Sequence, residues 1–150
     1  MTASDQHSVI YDSLEQLRSP AVQALYAYWR SKQRGRPMPA PADIDPAEMR
    51  PLLPSILVAE YVGAPARVRY RLVGTLQAYY NGLDYTGRYL DEIDWGIENE
   101  FVRLVHDTLR RTAAPVIGHY QWGFRDKVRG FAECGAFALS EDRTTVARCV

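Results

Sequence analysis

The 150-residue chain predicts an α+β fold with one five-stranded antiparallel sheet. Short helices and one longer helix are expected on one face of the sheet, and an amphipathic helix precedes it. Three observations predict this fold. Two β-rich runs, 56–62 and 67–73, flank the turn-forming sequence GAPA. A helical crossing follows them, and three further strand candidates close the chain: 116–124, 128–139 and 144–150.

The leading helix begins at Ser19–Pro20, because serine supplies a cap oxygen and proline at the first helical position needs no hydrogen-bond partner. Gly35 suits the left-handed cap at its other end. Apolar residues recur at i, i+3, i+4 and i+7, which predicts one buried stripe: Val22, Leu25, Tyr26 and Trp29.

A second, short helix is expected over 46–52, inside a proline-dense segment. Asp45 is a cap acceptor, Pro46 takes the first helical position, and Glu48 follows three residues after the cap. This arrangement is a variant of the capping box. Pro54 ends the helix.

The two runs around GAPA predict a hairpin with one wet face, because the second run alternates strictly. Val68, Tyr70 and Leu72 lie on one face, and Arg67, Arg69 and Arg71 lie on the other. These arginines can pair with Glu60 across the hairpin.

The crossing contains short helical pieces at 75–81 and 86–93, and then a longer helix over 97–113. At about 100° per residue, one apolar face is predicted for the longer helix: Ile97, Phe101, Leu104, Val105 and Thr108. His106 falls well away from this face, so we expect its imidazole to point to solvent.

Charge and composition exclude several classes of function. The formal net charge is zero and the sequence pI is about 6.8, so nothing favours nucleic acid or an anionic membrane. The basic run Arg30, Lys32, Arg34, Arg36 falls at a helix C-terminus, where the helix dipole favours cations. Cys134 and Cys149 have no metal-ligand spacing and are expected to be reduced. With no signal peptide visible, a cytoplasmic protein is expected.

Two long segments carry a family resemblance: LYAYWRSKQRGRPMPAPADIDPAEMRPLLPSI and RYRLVGTLQAYYNGLDYTGRYLDEI. They resemble the short single-domain PAS proteins common in alphaproteobacteria. The resemblance divides the chain into an extension at 1–18, expected to be partly disordered, and one PAS-like domain at 19–150. Within that domain, 19–55 holds the leading helix and the proline-rich segment, and 56–150 is the PAS core.

The resemblance implies a non-enzymatic sensory or signalling module with a cleft between the sheet and the central helices. The blue-light-sensing relatives form a flavin adduct through a cysteine, and the matching stretch TGRYLDEI has none, so that adduct is excluded. Non-covalent flavin is not expected either. Haem is not expected, because His106, the histidine on the long helix, is predicted to be exposed. His119 is expected to face solvent or an interface. No metal or catalytic site is predicted.

A small apolar or aromatic ligand in the cleft remains open beside the alternative of a packed aromatic core. The candidate lining residues are Tyr70, Leu72, Tyr79, Tyr80, Tyr89, Phe101, Val105, Trp122, Phe124 and Phe137. A homodimer is predicted through the leading helix, with Val22, Leu25, Tyr26 and Trp29 as interface candidates, and the signalling partner is unknown. Two alternatives are an NTF2-like isomerase or dehydratase, which would need an inward-facing acid/base pair, and a ligand-free dimerisation scaffold.

Overall fold

The computed structural model describes residues 8–95, 98–124 and 127–150, and for 122–124 and 127–130 it describes the backbone alone. Seven strands are present in this part of the chain: β1 Val9–Ile10, β2 Leu57–Val62, β3 Arg67–Val73, β4 Val116–Phe124, β5 Lys127–Ala136, β6 Ala138–Leu139 and β7 Arg148–Cys149. The three α-helices are α1 Pro20–Gln33, α2 Thr75–Asn81 and α3 Asn99–Thr112. Short 3₁₀ helices cover Leu14–Gln16, Pro41–Asp43, Pro46–Ser55 and Leu90–Glu92.

The strands form two antiparallel sheets, which confirms the α+β class but differs from the single five-stranded sheet predicted. One sheet has the order β1-β4-β5 and the other has the order β3-β2-β7-β6. They join at Phe137, which exchanges two backbone hydrogen bonds with Val150 at 2.9 and 3.0 Å. The predicted strand 128–139 is therefore divided, because its partner changes from β4 to the end of the chain.

Two predicted elements are shorter in the structure, because side chains and turns use their backbone groups. Of the helix expected over 86–93, only Leu90–Glu92 is helical, and Tyr89 instead forms a bridge with Arg69. Of the strand expected over 144–150, only β7 forms. Asp142 Oδ1 accepts hydrogen bonds from the amides of Thr144 and Thr145 at 2.9 and 2.7 Å, and so holds a turn there.

Strand β1 lies in the segment that the sequence assigned to an extension. Val9 pairs with His119, and Ile10 pairs with Gly118. A Cβ atom at Gly118 would overlap the carbonyl oxygen of Val9, so only glycine allows β1 this close to β4. The expected disorder of residues 1–7 lies outside the described residues.

Helix α1 begins as predicted: the Ser19 hydroxyl accepts a hydrogen bond of 3.3 Å from the Val22 amide. The end of the helix is fixed to the proline-rich segment by ion pairs. Lys32 pairs with Glu48 at 3.1 Å, and Arg36 pairs with Asp43 at 2.6 Å. These cations therefore help to dock the segment that follows the helix.

The core has two parts, which lie on opposite faces of the strand that runs through Phe137. Alternate residues of this strand enter the two clusters: Ala136 and Ala138 enter one, and Phe137 and Leu139 enter the other. The first cluster lies between the sheet and α3, and we call it the cleft cluster. The second lies beneath α1, and we call it the α1 cluster. Both faces of this strand are thus covered, which explains why Ala136 to Ser140 are all buried.

The predicted stripe on α1 packs against the chain's own sheet. Trp29 is buried, and its indole Nε1 donates a 2.7 Å hydrogen bond to the carbonyl of Ala138. Its ring lies 5.8 Å from that of Phe137. Val22, Leu25 and Tyr26 are partly buried in the same α1 cluster. The homodimer remains a prediction, and in this fold Trp29 has an intramolecular role.

Candidate functional site

A group of aromatic rings fills the centre of the cleft cluster. Tyr70 of β3 and Tyr85, which follows α2, are almost fully buried, with ring centroids 4.9 Å apart. Trp95, which precedes α3, lies 5.1 Å from Tyr85 and 6.0 Å from Tyr70. Most of these contacts are edge-to-face, which is a favoured arrangement for aromatic pairs. Tyr61 of β2 and His106 of α3 extend the group toward the surface.

A hydrogen-bond chain links His106, Tyr61 and Cys149. The Tyr61 hydroxyl lies 2.9 Å from His106 Nδ1 and 3.4 Å from Cys149 Sγ. Burial lowers the pKa of His106 to about 4, with an upward contribution from Asp107 and a downward one from Arg110. Burial also raises the pKa of Cys149 to about 11. At neutral pH the imidazole is therefore neutral and the thiol protonated, so this cysteine is not poised as a nucleophile.

The prediction that His106 points to solvent was wrong: only 8% of the residue is exposed. The predicted apolar face is rotated relative to the one that packs. Leu104, which was placed on that face, is 51% exposed, whereas Leu109 is fully buried. Ile97 lies outside the described residues. The helix turns His106 inward because Tyr61 gives its ring a hydrogen-bond partner, which makes the burial of an imidazole acceptable.

The indole Nε1 of Trp95 is fully buried and has no hydrogen-bond partner in the part of the chain that the structure describes. The neighbouring Tyr85 hydroxyl accepts a 3.3 Å hydrogen bond from the Asn81 side chain. A buried donor without an acceptor is unfavourable by about 1–3 kcal/mol. A bound molecule with a hydrogen-bond acceptor would therefore satisfy the Trp95 N–H in the cleft.

The predicted lining residues do not form one site. Tyr70 is central, Val105 packs against the cleft cluster, and Phe101 and Tyr89 are half-buried. Phe137 belongs to the α1 cluster, on the other face of its strand. The remaining described candidates are exposed: Leu72, Tyr79 and Tyr80. The side chains of Trp122 and Phe124 lie outside the described residues.

Sequence reasoning missed four members of the aromatic group: Tyr61, Tyr85, Trp95 and His106. For Tyr85 a signal was available in the motif DYTGR. Asp84 accepts hydrogen bonds from the amide and hydroxyl of Thr86 at 3.0 and 2.6 Å. This turn directs the chain back to β3, where Gly87 and Tyr70 are hydrogen-bonded. The tyrosine before the turn is thereby placed against the sheet.

A pocket of about 160 Å³ opens between α3 and the start of β3, and we call it the arginine pocket. Its charged residues are Arg67, Arg103, Arg110, Asp91 and Asp107, and His106 also lines it. Ala66, Val68 and Leu90 supply apolar wall. Arg67 makes a bidentate contact with Asp91 at 2.8 and 2.7 Å, which lowers the pKa of that carboxyl.

A shallower groove of about 290 Å³ lies on the opposite face of the three-stranded sheet, lined by Tyr11, His119, Phe131, Ala132 and Glu133. His119 is half-buried there, and its Nδ1 lies 3.1 Å from the Tyr11 hydroxyl. The Glu133 carboxylate accepts hydrogen bonds from the backbone amides of Arg18 and Ser19. Glu133 thus serves to hold the start of α1, and the groove offers only an open aromatic surface.

A family model described as PAS domain matches residues 17–123. The chain belongs to the PAS domain family. No curated protein and no solved structure matched the chain in the corresponding comparisons. Membership indicates a signalling or sensory module, and PAS domains are generally non-enzymatic. The match covers α1, the hairpin, the crossing and most of β4, so the cleft cluster and the arginine pocket lie largely inside this PAS domain.

Two features are absent from the part of the chain that the structure describes. No group of three or more His, Cys, Asp or Glu side chains in that part of the PAS domain is arranged to hold a metal ion. Among the same residues, none of the helices is long and apolar enough to cross a membrane.

Proposed function

We propose that this PAS domain is a non-enzymatic cytoplasmic signalling module that binds a protein partner, with a small apolar or aromatic molecule in the cleft as its input. The single observation that carries the proposal is the unpartnered indole N–H of Trp95 among buried rings. A ligand with an aromatic or apolar body and one hydrogen-bond acceptor matches this environment. The input would act by shifting a conformational equilibrium, which requires different affinities for two states.

Partner binding is supported by an exposed apolar row on and just after α2. Leu76, Tyr79, Tyr80 and Leu83 follow the i, i+3, i+4, i+7 spacing and are 41–75% exposed. The rings of Tyr79 and Tyr80 lie 5.6 Å apart in an edge-to-face arrangement. Tyrosine is enriched at protein interfaces and at their energetic centres. The row lies beside the cleft cluster, since Tyr85 follows it by two residues.

The proposal is tested by native mass spectrometry and an absorption spectrum of freshly purified protein. We expect a bound mass above that of the chain, released on denaturation, with no visible band of haem or flavin. Trp95→Phe should reduce the bound fraction, because it removes the donor and keeps the aromatic packing. Tyr79→Phe is the matched control, because it changes an exposed ring outside the cleft cluster.

A bare chain mass, together with no change in thermal unfolding across a panel of small aromatic compounds, would contradict ligand sensing. That result would favour the ligand-free scaffold. Light scattering then decides between a scaffold that dimerises and one that binds only a different protein, because a mass of one chain at micromolar concentration excludes the homodimer.

A further inference from the structure

The arginine pocket is lined by three arginines, two of which form no salt bridge with any described residue. Arg67 is paired with Asp91 and lies 3.6 Å from Glu92. Arg103 and Arg110 carry these uncommitted guanidinium groups, although Arg103 also contributes, after Arg67, to the lowered pKa of Asp91. They are seven residues apart on α3, about 10 Å along the helix axis, so they flank the same face. A guanidinium group without a salt bridge is suited to binding a carboxylate.

His106 adds a second, independent feature of a binding site. Its Nδ1 is bonded to Tyr61, and its Nε2 has no partner among the described residues. His106 lines the arginine pocket, and because Nδ1 is bonded to Tyr61, Nε2 is the ring nitrogen available to a ligand there.

The tautomer of His106 determines what Nε2 offers. The Tyr61 hydroxyl can donate either to His106 Nδ1 or to Cys149 Sγ. When it donates to Nδ1, the single ring proton of the neutral imidazole resides on Nε2. His106 then presents an N–H donor at the arginine pocket. An anion in the pocket selects this tautomer.

We propose that the arginine pocket binds a small monocarboxylate, with its carboxylate held by Arg103, Arg110 and the Nε2 proton of His106. Its apolar body lies against Ala66, Val68 and Leu90, and the volume of about 160 Å³ suits a molecule of the size of benzoate. This inference rests on the proposed function as a binding module and names a ligand class for the mouth of the cleft. It is separate from the Trp95 position, which needs an acceptor but no charge.

The test is a calorimetric titration with benzoate, with benzamide as a neutral molecule of nearly the same shape. We expect benzoate to bind and benzamide to bind at least tenfold more weakly, because a charged hydrogen bond contributes more than a neutral one. Arg103→Gln and Arg110→Gln should each weaken benzoate binding about tenfold or more. Arg111→Gln is the matched control, because it removes the same charge from an exposed position of α3 that does not line the pocket.

Nitrogen-15 NMR of the histidine rings gives an independent readout. Benzoate should shift His106 toward the tautomer protonated on Nε2, and His119, which lies in the other groove, should not respond. Circular dichroism and thermal unfolding confirm that each variant is folded. Because Arg110 lies over the Tyr61 ring at 5.2 Å and its loss could disturb packing, the Arg103 variant supplies a second measurement.

Equal binding of benzoate and benzamide would overturn the proposal, and so would equal effects of the Arg103, Arg110 and Arg111 variants. Inorganic phosphate that competes as well as benzoate would overturn the monocarboxylate class. If a native ligand is retained through Trp95 but benzoate does not bind, only the proposal for the arginine pocket fails. Benzoate binding without a native ligand mass would support the arginine pocket and remove the apolar-ligand input.

Discussion

Trp29 and Trp95, whose indole nitrogens are both buried, permit a direct measurement of one hydrogen bond. Trp29 Nε1 donates to the Ala138 carbonyl at 2.7 Å, whereas Trp95 Nε1 has no partner among the described residues. We expect Trp29→Phe to destabilise the ligand-free protein clearly and Trp95→Phe to have little effect. Both substitutions remove the same atoms, so the difference between them isolates the hydrogen bond.

The magnitudes follow from the two environments. Trp29→Phe leaves a buried carbonyl without its partner, at about 1–3 kcal/mol, and leaves space where the larger ring was, at roughly 1–2 kcal/mol. The sum is about 2–5 kcal/mol. Trp95 is partly buried, so Trp95→Phe has a packing loss no larger than that of Trp29→Phe. It also removes an unpartnered donor whose burial is unfavourable by about 1–3 kcal/mol, so the variant should be at most about 1 kcal/mol less stable than the wild type.

The assay is urea unfolding of both variants and the wild type after ligand removal. The free energies of unfolding should differ between the variants by at least about 2 kcal/mol, which corresponds to roughly 4 °C or more in Tm for a chain of this size. If Trp95→Phe destabilises the protein as much as Trp29→Phe, then Trp95 Nε1 has a partner in solution and the reasoning behind its ligand role fails. Unchanged m-values are required for the comparison.

Three further predictions concern stability. Gly118→Ala should detach β1, because the added Cβ atom would overlap the Val9 carbonyl oxygen. We expect fast amide exchange and proteolysis at the N-terminus while the rest of the fold is retained, and slow exchange there would contradict the prediction. The pKa of His106 is lowered to about 4, so below about pH 6.5 the unfolded chain binds more protons than the folded protein does. The free energy of unfolding should therefore fall by about 2 kcal/mol from pH 7.5 to 5, and His106→Gln should remove this part of the pH dependence. Ser19→Ala should destabilise by about 1 kcal/mol through loss of the helix cap, while Ser31→Ala, inside the same helix, should be neutral or slightly stabilising in urea unfolding.

Elements defined by local chemistry were predicted well from the sequence. The hairpin expected at 56–62 and 67–73 is found at Leu57–Val62 and Arg67–Val73. Its exposed arginines pair with Glu60 as expected, Arg69 at 3.3 Å and Arg71 at 3.2 Å. In both cases the residues that decide the structure are close neighbours in the sequence or directly opposite in the hairpin.

The site was predicted less well, because its residues are brought together by contacts between distant segments. The orientation of α3 depends on Tyr61, which is 45 positions away from His106, and no helical wheel contains that information. The tyrosines of α2 were expected in the cleft, yet Tyr79 is 75% exposed while Tyr85 is buried. A helix of two turns presents only a narrow face to the sheet, and the turn after it decides which tyrosine enters the core.

Trp29 is placed so that its fluorescence can report on the cleft cluster through the strand that contains Ala138. The side chain of Ala138 belongs to the cleft cluster, while its carbonyl accepts the hydrogen bond from Trp29 on the other face. Only the backbone of this strand therefore separates the cleft cluster from the indole ring of Trp29. Indole emission responds to changes at its N–H, so ligand entry that displaces this strand should register in the fluorescence of Trp29 without any added label.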